Sequence, residues 1–199
     1  MRIDLDYNKF IINDIIDYYG GDQDWYKTYF KRLAGCGPTT ASNIVMYEEK
    51  KLGVKDDFSK EEFIKLMNDL WNYITPGMMG VNKARTYIDG FSKYNDRYKL
   101  GLINYKNLHI GKYDNLDKDY IFEFLKEAIE KDHPVAFLNL DSGKEKNLES
   151  WHWATIIGIS NENNNLKVVI CDNTTVKDID LGLWLSTTSS EADFIYFYE

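Results

Sequence analysis

The chain reads as an α+β protein, and three features of its 199 residues point that way. Apolar residues recur at spacings of three and four through the first two thirds of the chain. Runs rich in valine, isoleucine and aromatic residues fill the last third, and no repeat or low-complexity linker divides the two parts. One domain over 1–199 is the expected organisation, with its cleft where helix meets sheet.

The elements follow in order. Gly35-Cys36-Gly37-Pro38-Thr39-Thr40 runs into Ala41, Ile44 and Val45, so a helix is expected to open at the cysteine. Phe63, Leu66, Met67, Leu70, Trp71 and Ile74 predict a helix over 61–74, opened by Ser59 and Glu62 as a capping box. Ala84, Tyr87, Ile88, Phe91 and Tyr94 predict another over 82–94. Ile121, Phe124, Leu125, Ala128 and Ile129 predict one over 119–131. Strands are expected near 135–140, 152–159, 166–172 and 192–198, with Asn161 to Asn165 as a hairpin turn between the second and third.

The position of Cys36 carries chemistry. A helix N-terminus offers unpaired backbone N–H groups and partial positive charge, both of which favour thiolate over thiol. Pro38 fits the first turn because its missing N–H has no partner there, and Gly35 and Gly37 leave the sulfur approachable. Taken alone, the segment reads equally as a small buried cysteine beside a tight turn. The second half of the chain adds a histidine and a carboxylate. His152 opens one expected strand and Asp172 closes the next, so the hairpin brings them together. Cysteine, histidine and carboxylate in that order suit a nucleophile, a general base and a group that orients the base.

On these residues the chain resembles the papain-like cysteine peptidases, and within them the bacterial branch similar to the bacteriocin-leader (double-glycine) peptidases. The matching segments are Gly35 to Ala41, His152 to Gly158, and Ile170-Cys171-Asp172 with Ile179-Asp180-Leu181 and Trp184 after it. The resemblance implies a papain-like fold, with a helical N-terminal half packed on an antiparallel sheet from the C-terminal half. It implies a catalytic Cys36, a base His152 and an orienting Asp172 acting on a peptide or protein substrate through a thioester acyl-enzyme. Acyl transfer to an amine, as in transglutaminase-like relatives, is the alternative enzyme reading; a catalytically idle binding domain is the other. Papain-like enzymes usually place an oxyanion-binding glutamine six residues before the cysteine, where this chain has Phe30. Gln23 is the nearest glutamine, and a longer excursion of the chain could return it to the site; it reads equally as a solvated turn residue.

Composition bounds the partners. A formal charge of −8 leaves no basic footprint for nucleic acid or anionic membrane, and suits a neutral or basic substrate. No basic-then-apolar leader and no stretch of ~20 apolar residues is found, so the expectation is a cytoplasmic protein with free thiols. Cys171 is expected to pack, pointing away from the catalytic groups. His109 in a loop-like stretch and His133 before Pro134 are read as structural. Three scattered histidines and two distant cysteines give no metal-ligand spacing, so neither metal nor cofactor is expected. The runs Glu48 to Lys51 and Asp141 to Lys146 are read as solvated surface or loop. Oligomeric state has no sequence signature here.

Overall fold

Strand β6 (His152–Glu162) is the centre of the architecture, because every functional expectation hangs on what its first residue meets. The computed structural model describes residues 1–112, 117–163 and 165–199. Among these, seven antiparallel strands form one sheet in the order β4 (Asn104–Ile110), β9 (Ala192–Tyr198), β5 (Val135–Asn139), β6, β7 (Asn165–Asp172) and β8 (Thr175–Asp180), with β1 (Arg2–Asp4) beside β6. β5 and β1 share one edge of β6: Asn139 pairs with His152, and Asp4 with Gly158 beyond a bulge after Ile156. A separate two-stranded ribbon joins β2 (Ile11–Ile12) and β3 (Tyr18–Tyr19).

Alternation along the strands divides the core. Ala136, Leu138, Trp153, Ile195 and Phe197 pack with residues of helices α2 (Cys36–Lys51), α3 (Lys60–Tyr73) and α4 (Ala84–Tyr98). Phe137, Ala154, Ile156, Phe194 and Tyr196 pack with residues of α5 (Lys118–Glu130) and α6 (Leu181–Thr187). Trp153 ties the first cluster together. Its ring stacks on Tyr87 at 4.3 Å, and its Nε1–H donates to the Val81 carbonyl at 2.6 Å.

Each expected helix forms, for the expected local reasons. Ser59 and Glu62 make the reciprocal capping box of α3. α4 begins two residues later than expected and runs four further, to Tyr98, where Lys99 in the left-handed region ends it. α2 is buried from Cys36 through Glu48, which is why its polar residues are all partnered or close to the site. A short helix α1 (Tyr29–Ala34) leads into it through Gly35, where a Cβ would overlap the Lys31 carbonyl and the Tyr26 ring.

Several expectations need correction. β6 runs to Glu162 and β7 begins at Asn165, so Asn161 and Glu162 lie in the ladder, not in the turn; Asn164 of that turn lies outside the described residues. His109 is on strand β4, and its Nδ1 lies 3.0 Å from Asp193 Oδ1 on the neighbouring β9. β4 is an edge strand with mostly polar, exposed residues, so its hydrophobic alternation is weak. β8 was also missed. It follows β7 through Asn173 and Thr174, both at positive φ, a two-residue hairpin turn without the glycine that usually marks one. The charged run at 48–51 is not solvated throughout: Glu48 is 1% exposed and pairs with Lys51 at 2.7 Å and with the buried His133 at 3.2 Å. In the later run Glu145 is buried, accepting from the backbone N–H groups of Asn147 and Asp180.

Candidate active site

Cys36 is the first residue of α2, and no side chain caps that helix end. The thiol therefore sits among N-terminal N–H groups that no neighbouring carboxylate or hydroxyl has claimed. His152 enters from β6, hydrogen-bonded to Cys36 and buried. Its Nε2 lies 2.7 Å from Asp172 Oδ1 at the end of β7, which leaves Nδ1 for the sulfur. The second carboxylate oxygen, Asp172 Oδ2, accepts from Lys177 Nζ at 3.0 Å.

The electrostatics follow from that chain of contacts. Burial by itself pulls the His152 pKa down, but the hydrogen bonds to Asp172 and Cys36 and their negative charges override it and raise it to about 10. The imidazole is thus held protonated at neutral pH. Burial pushes the Asp172 carboxyl up, and the hydrogen bond and charge of His152 with the charge of Lys177 bring it below the ordinary carboxylate range. Cys171, one residue away, behaves oppositely. Burial and then the Asp172 charge raise its thiol far above the ordinary value, and its Sγ donates to the Tyr19 carbonyl at 3.0 Å. It packs, as expected.

Gln23 opens a 3₁₀ turn (Gln23–Trp25) and lines a small cavity shared with Cys36, Thr39, His152 and Asp172. Its Oε1 is buried with no hydrogen-bond partner among the described residues. Two glycines bring the chain there. Gly20 adopts φ +73°, and a Cβ on it would overlap Cys171 Sγ; a Cβ on Gly21 would overlap the Phe63 ring. Asn43, two turns along α2 from the cysteine, then clamps the loop: its Oδ1 accepts from Gly21 N–H at 2.9 Å and its Nδ2 donates to Thr155 Oγ1 at 3.1 Å. Replacing this fully buried amide by Ala strands both partners, so Asn43→Ala should cost about 2–3 kcal/mol in urea unfolding. An Asn43→Ala midpoint equal to the parent's would show that the clamp contributes nothing.

Cys36 also borders a second and larger space. A groove of about 270 Å³ on its other side is lined by Phe30, Leu33, Met78, Met79, Leu138 and Trp151 among others. Five of these six apolar side chains are exposed, Met78 at 96%. Phe30, at the position where a glutamine is usual, is thus a groove wall. Trp151 holds φ +59°, a costly conformation for a large side chain, immediately before His152. The groove, Asn43 and Lys177 were not singled out from sequence. Met78 and Met79 sit in a loop flanked by Gly77 and Gly80, whose mutual backbone bonds make it a tight turn, and that turn was the one available signal.

Cys36, His152, Asp172 and Gln23 thus meet at one cavity, although they come from α2, two strands and a 3₁₀ turn. Among the described residues, no group of three or more His, Cys, Asp or Glu side chains could hold a metal ion. No helix among them is long and apolar enough to cross a membrane.

Comparison with known proteins agrees with this architecture. Residues 6–180 match the model of the Peptidase C39-like family, which takes in everything from the first 3₁₀ turn to the end of β8. No curated protein matches the sequence. Among solved structures, UfSP from C. elegans, a protein of papain-like fold, superposes with a TM-score of 0.52 at 11% identity, covering 100% of this chain and 34% of that one. The chain therefore spans about a third of that protein's length, and the likeness is one of fold. A family match over most of the chain, on a helix-opening cysteine packed against an antiparallel sheet, means that the protein belongs to the Peptidase C39-like family and has the papain-like α+β fold.

Proposed function

We propose that this chain is a cysteine peptidase that cleaves a peptide bond through a Cys36–His152–Asp172 triad. The Cys36 thiolate attacks the carbonyl carbon, and the oxyanion that forms is held by the Cys36 backbone N–H and the Gln23 amide. The His152 imidazolium gives its proton to the departing amine nitrogen as the C–N bond breaks, leaving a thioester on Cys36. A water molecule, losing its proton to His152, then attacks the thioester carbonyl; the C–S bond breaks and the carboxylic acid product leaves. Asp172 holds the ring in one tautomer and stabilises its positive form.

The observation that carries this reading is the meeting of four side chains from distant parts of the chain at one cavity beside Cys36. Gln23 is the least direct member, since it is the amide oxygen that is buried without a partner. Rotation about the last side-chain bond exchanges that oxygen with the NH₂ group, so the same site can present a donor. The apolar groove supports a substrate with a bulky apolar side chain next to the scissile bond, and the net charge of −8 favours one that is neutral or basic elsewhere.

A panel of fluorogenic peptides that differ only at the residue before the scissile bond tests this. Leucine, methionine or phenylalanine there should give kcat/KM about tenfold or more above aspartate, with no signal from Cys36→Ala. Running the panel with added glycine amide separates hydrolysis from acyl transfer by product mass. A panel with no turnover, from a protein whose Cys36 nevertheless alkylates rapidly, would replace the peptidase by a different acyl chemistry.

A further inference from the structure

Lys177 has no part in the mechanism above, yet it ends a row of charges that crosses three neighbouring strands. His152 on β6, Asp172 on β7 and Lys177 on β8 stand side by side, and Asp172 gives one carboxylate oxygen to each cation, at 2.7 Å and 3.0 Å. The ladder fixes this row. Asp172 pairs with Thr175 and Ile170 with Lys177, so Lys177 is the diagonal neighbour of Asp172 on the same sheet face. Its side chain is 27% exposed while that of Asp172 is 6% exposed, so the pair is largely sheltered from solvent screening.

A buried carboxylate shared in this way is a different partner for an imidazole from one that is not shared. With Lys177 in place, Asp172 remains a fully capable hydrogen-bond acceptor and still attracts the imidazolium, but part of its charge is offset by the cation on its other oxygen. We propose that Lys177 is a positioning residue of the reaction: through Asp172 it limits how tightly His152 holds the proton that must pass to the leaving amine. This rests on the triad reading.

Other ionisable groups face the row and must be counted. Cys36 from α2 is the remaining hydrogen-bond partner of His152. The Cys171 thiol, one residue before Asp172 on β7, feels the charges of Asp172 and of Lys177 on β8. Asp22, in the segment before Gln23, feels the charges of both Asp172 and Glu149, and Asn173 bonds the Glu149 carboxylate at 3.2 Å. Both of these acids add negative charge, which strengthens the hold on the His152 proton. Lys177 is the cation directly bonded on the opposing side.

The test uses the full chain and follows the His152 ring by NMR through a pH titration, which is practical because the chain has only three histidines. In Lys177→Met the His152 midpoint should move up by about one pH unit, and the alkaline limb of kcat/KM should move with it. Lys177→Arg, which keeps the charge, should restore both to within about 0.3 unit of the parent. Lys177→Gln serves in place of the Met variant should that one fold poorly. A parent His152 that titrates well above ~6.5 and does not move in Lys177→Met or Lys177→Gln overturns the role of Lys177 and leaves the triad standing. A parent His152 that titrates near the free value of ~6.5 overturns the triad, and this role with it.

Discussion

At pH 6, iodoacetamide will alkylate Cys36 about 10²-fold faster in the parent protein than in His152→Ala. An ordinary cysteine with a pKa of ~8.5 is under one per cent thiolate at that pH, and an imidazolium and a helix N-terminus are the two features that favour thiolate over thiol. Cys171 gives the wrong comparison on its own, since it is wholly buried and burial alone silences it. The His152 variant is the better control, because it leaves the helix end in place and can only open the space beside Cys36, so a slower alkylation reports lost activation. Peptide turnover should fall further than alkylation, by ~10³-fold or more, as the proposed mechanism also has this residue deliver and accept protons. Asp172→Ala should be milder on alkylation, yet it leaves the Lys177 cation unpaired next to the ring, which disfavours the imidazolium as well as releasing its orientation. Equal alkylation rates for Cys36 in the parent and His152→Ala would separate the two residues and end the triad reading.

Gln23→Ala should split the two assays. Alkylation by iodoacetamide develops no carbonyl oxyanion, so its rate should stay within about twofold of the parent, while peptide turnover should drop ~10²-fold or more. The loss should fall on kcat rather than KM, because the donor is engaged only as charge develops on oxygen. A single unpartnered buried amide oxygen is a poor arrangement for stability, so Gln23→Ala should also leave the melting temperature unchanged or raised. Turnover that survives Gln23→Ala would leave the backbone N–H of Cys36 to act without this side chain.

Much of this protein is legible before any coordinates are consulted. The stripes of α3, α4 and α5 are strongly periodic and Ser59 with Glu62 marks a start, so local physics alone specifies those helices. The apolar runs at 135, 152, 166 and 192 declare themselves as strands for the same reason. Cys36 at a helix mouth and His152 and Asp172 on neighbouring strands also follow from spacing and turn signals. What failed was local signal at the periphery. β4 is a polar edge strand, and β8 begins after an Asn-Thr turn whose positive φ values neither residue advertises.

The sequence by itself determined the helical and strand-rich halves, the order of the three candidate catalytic residues and the net charge of −8. Tertiary structure decided the rest. Gln23 lies thirteen residues before Cys36, and only the Gly20-Gly21 excursion clamped by Asn43 brings it to the cavity. Lys177 reaches Asp172 only through the register of β7 with β8, and the groove gathers Phe30, Met78 and Trp151 from three separate loops and helices. Each of these depends on contacts between residues far apart in the chain. Periodicity and capping report only the few residues around each position, whereas such contacts are set by packing that the whole core must satisfy at once.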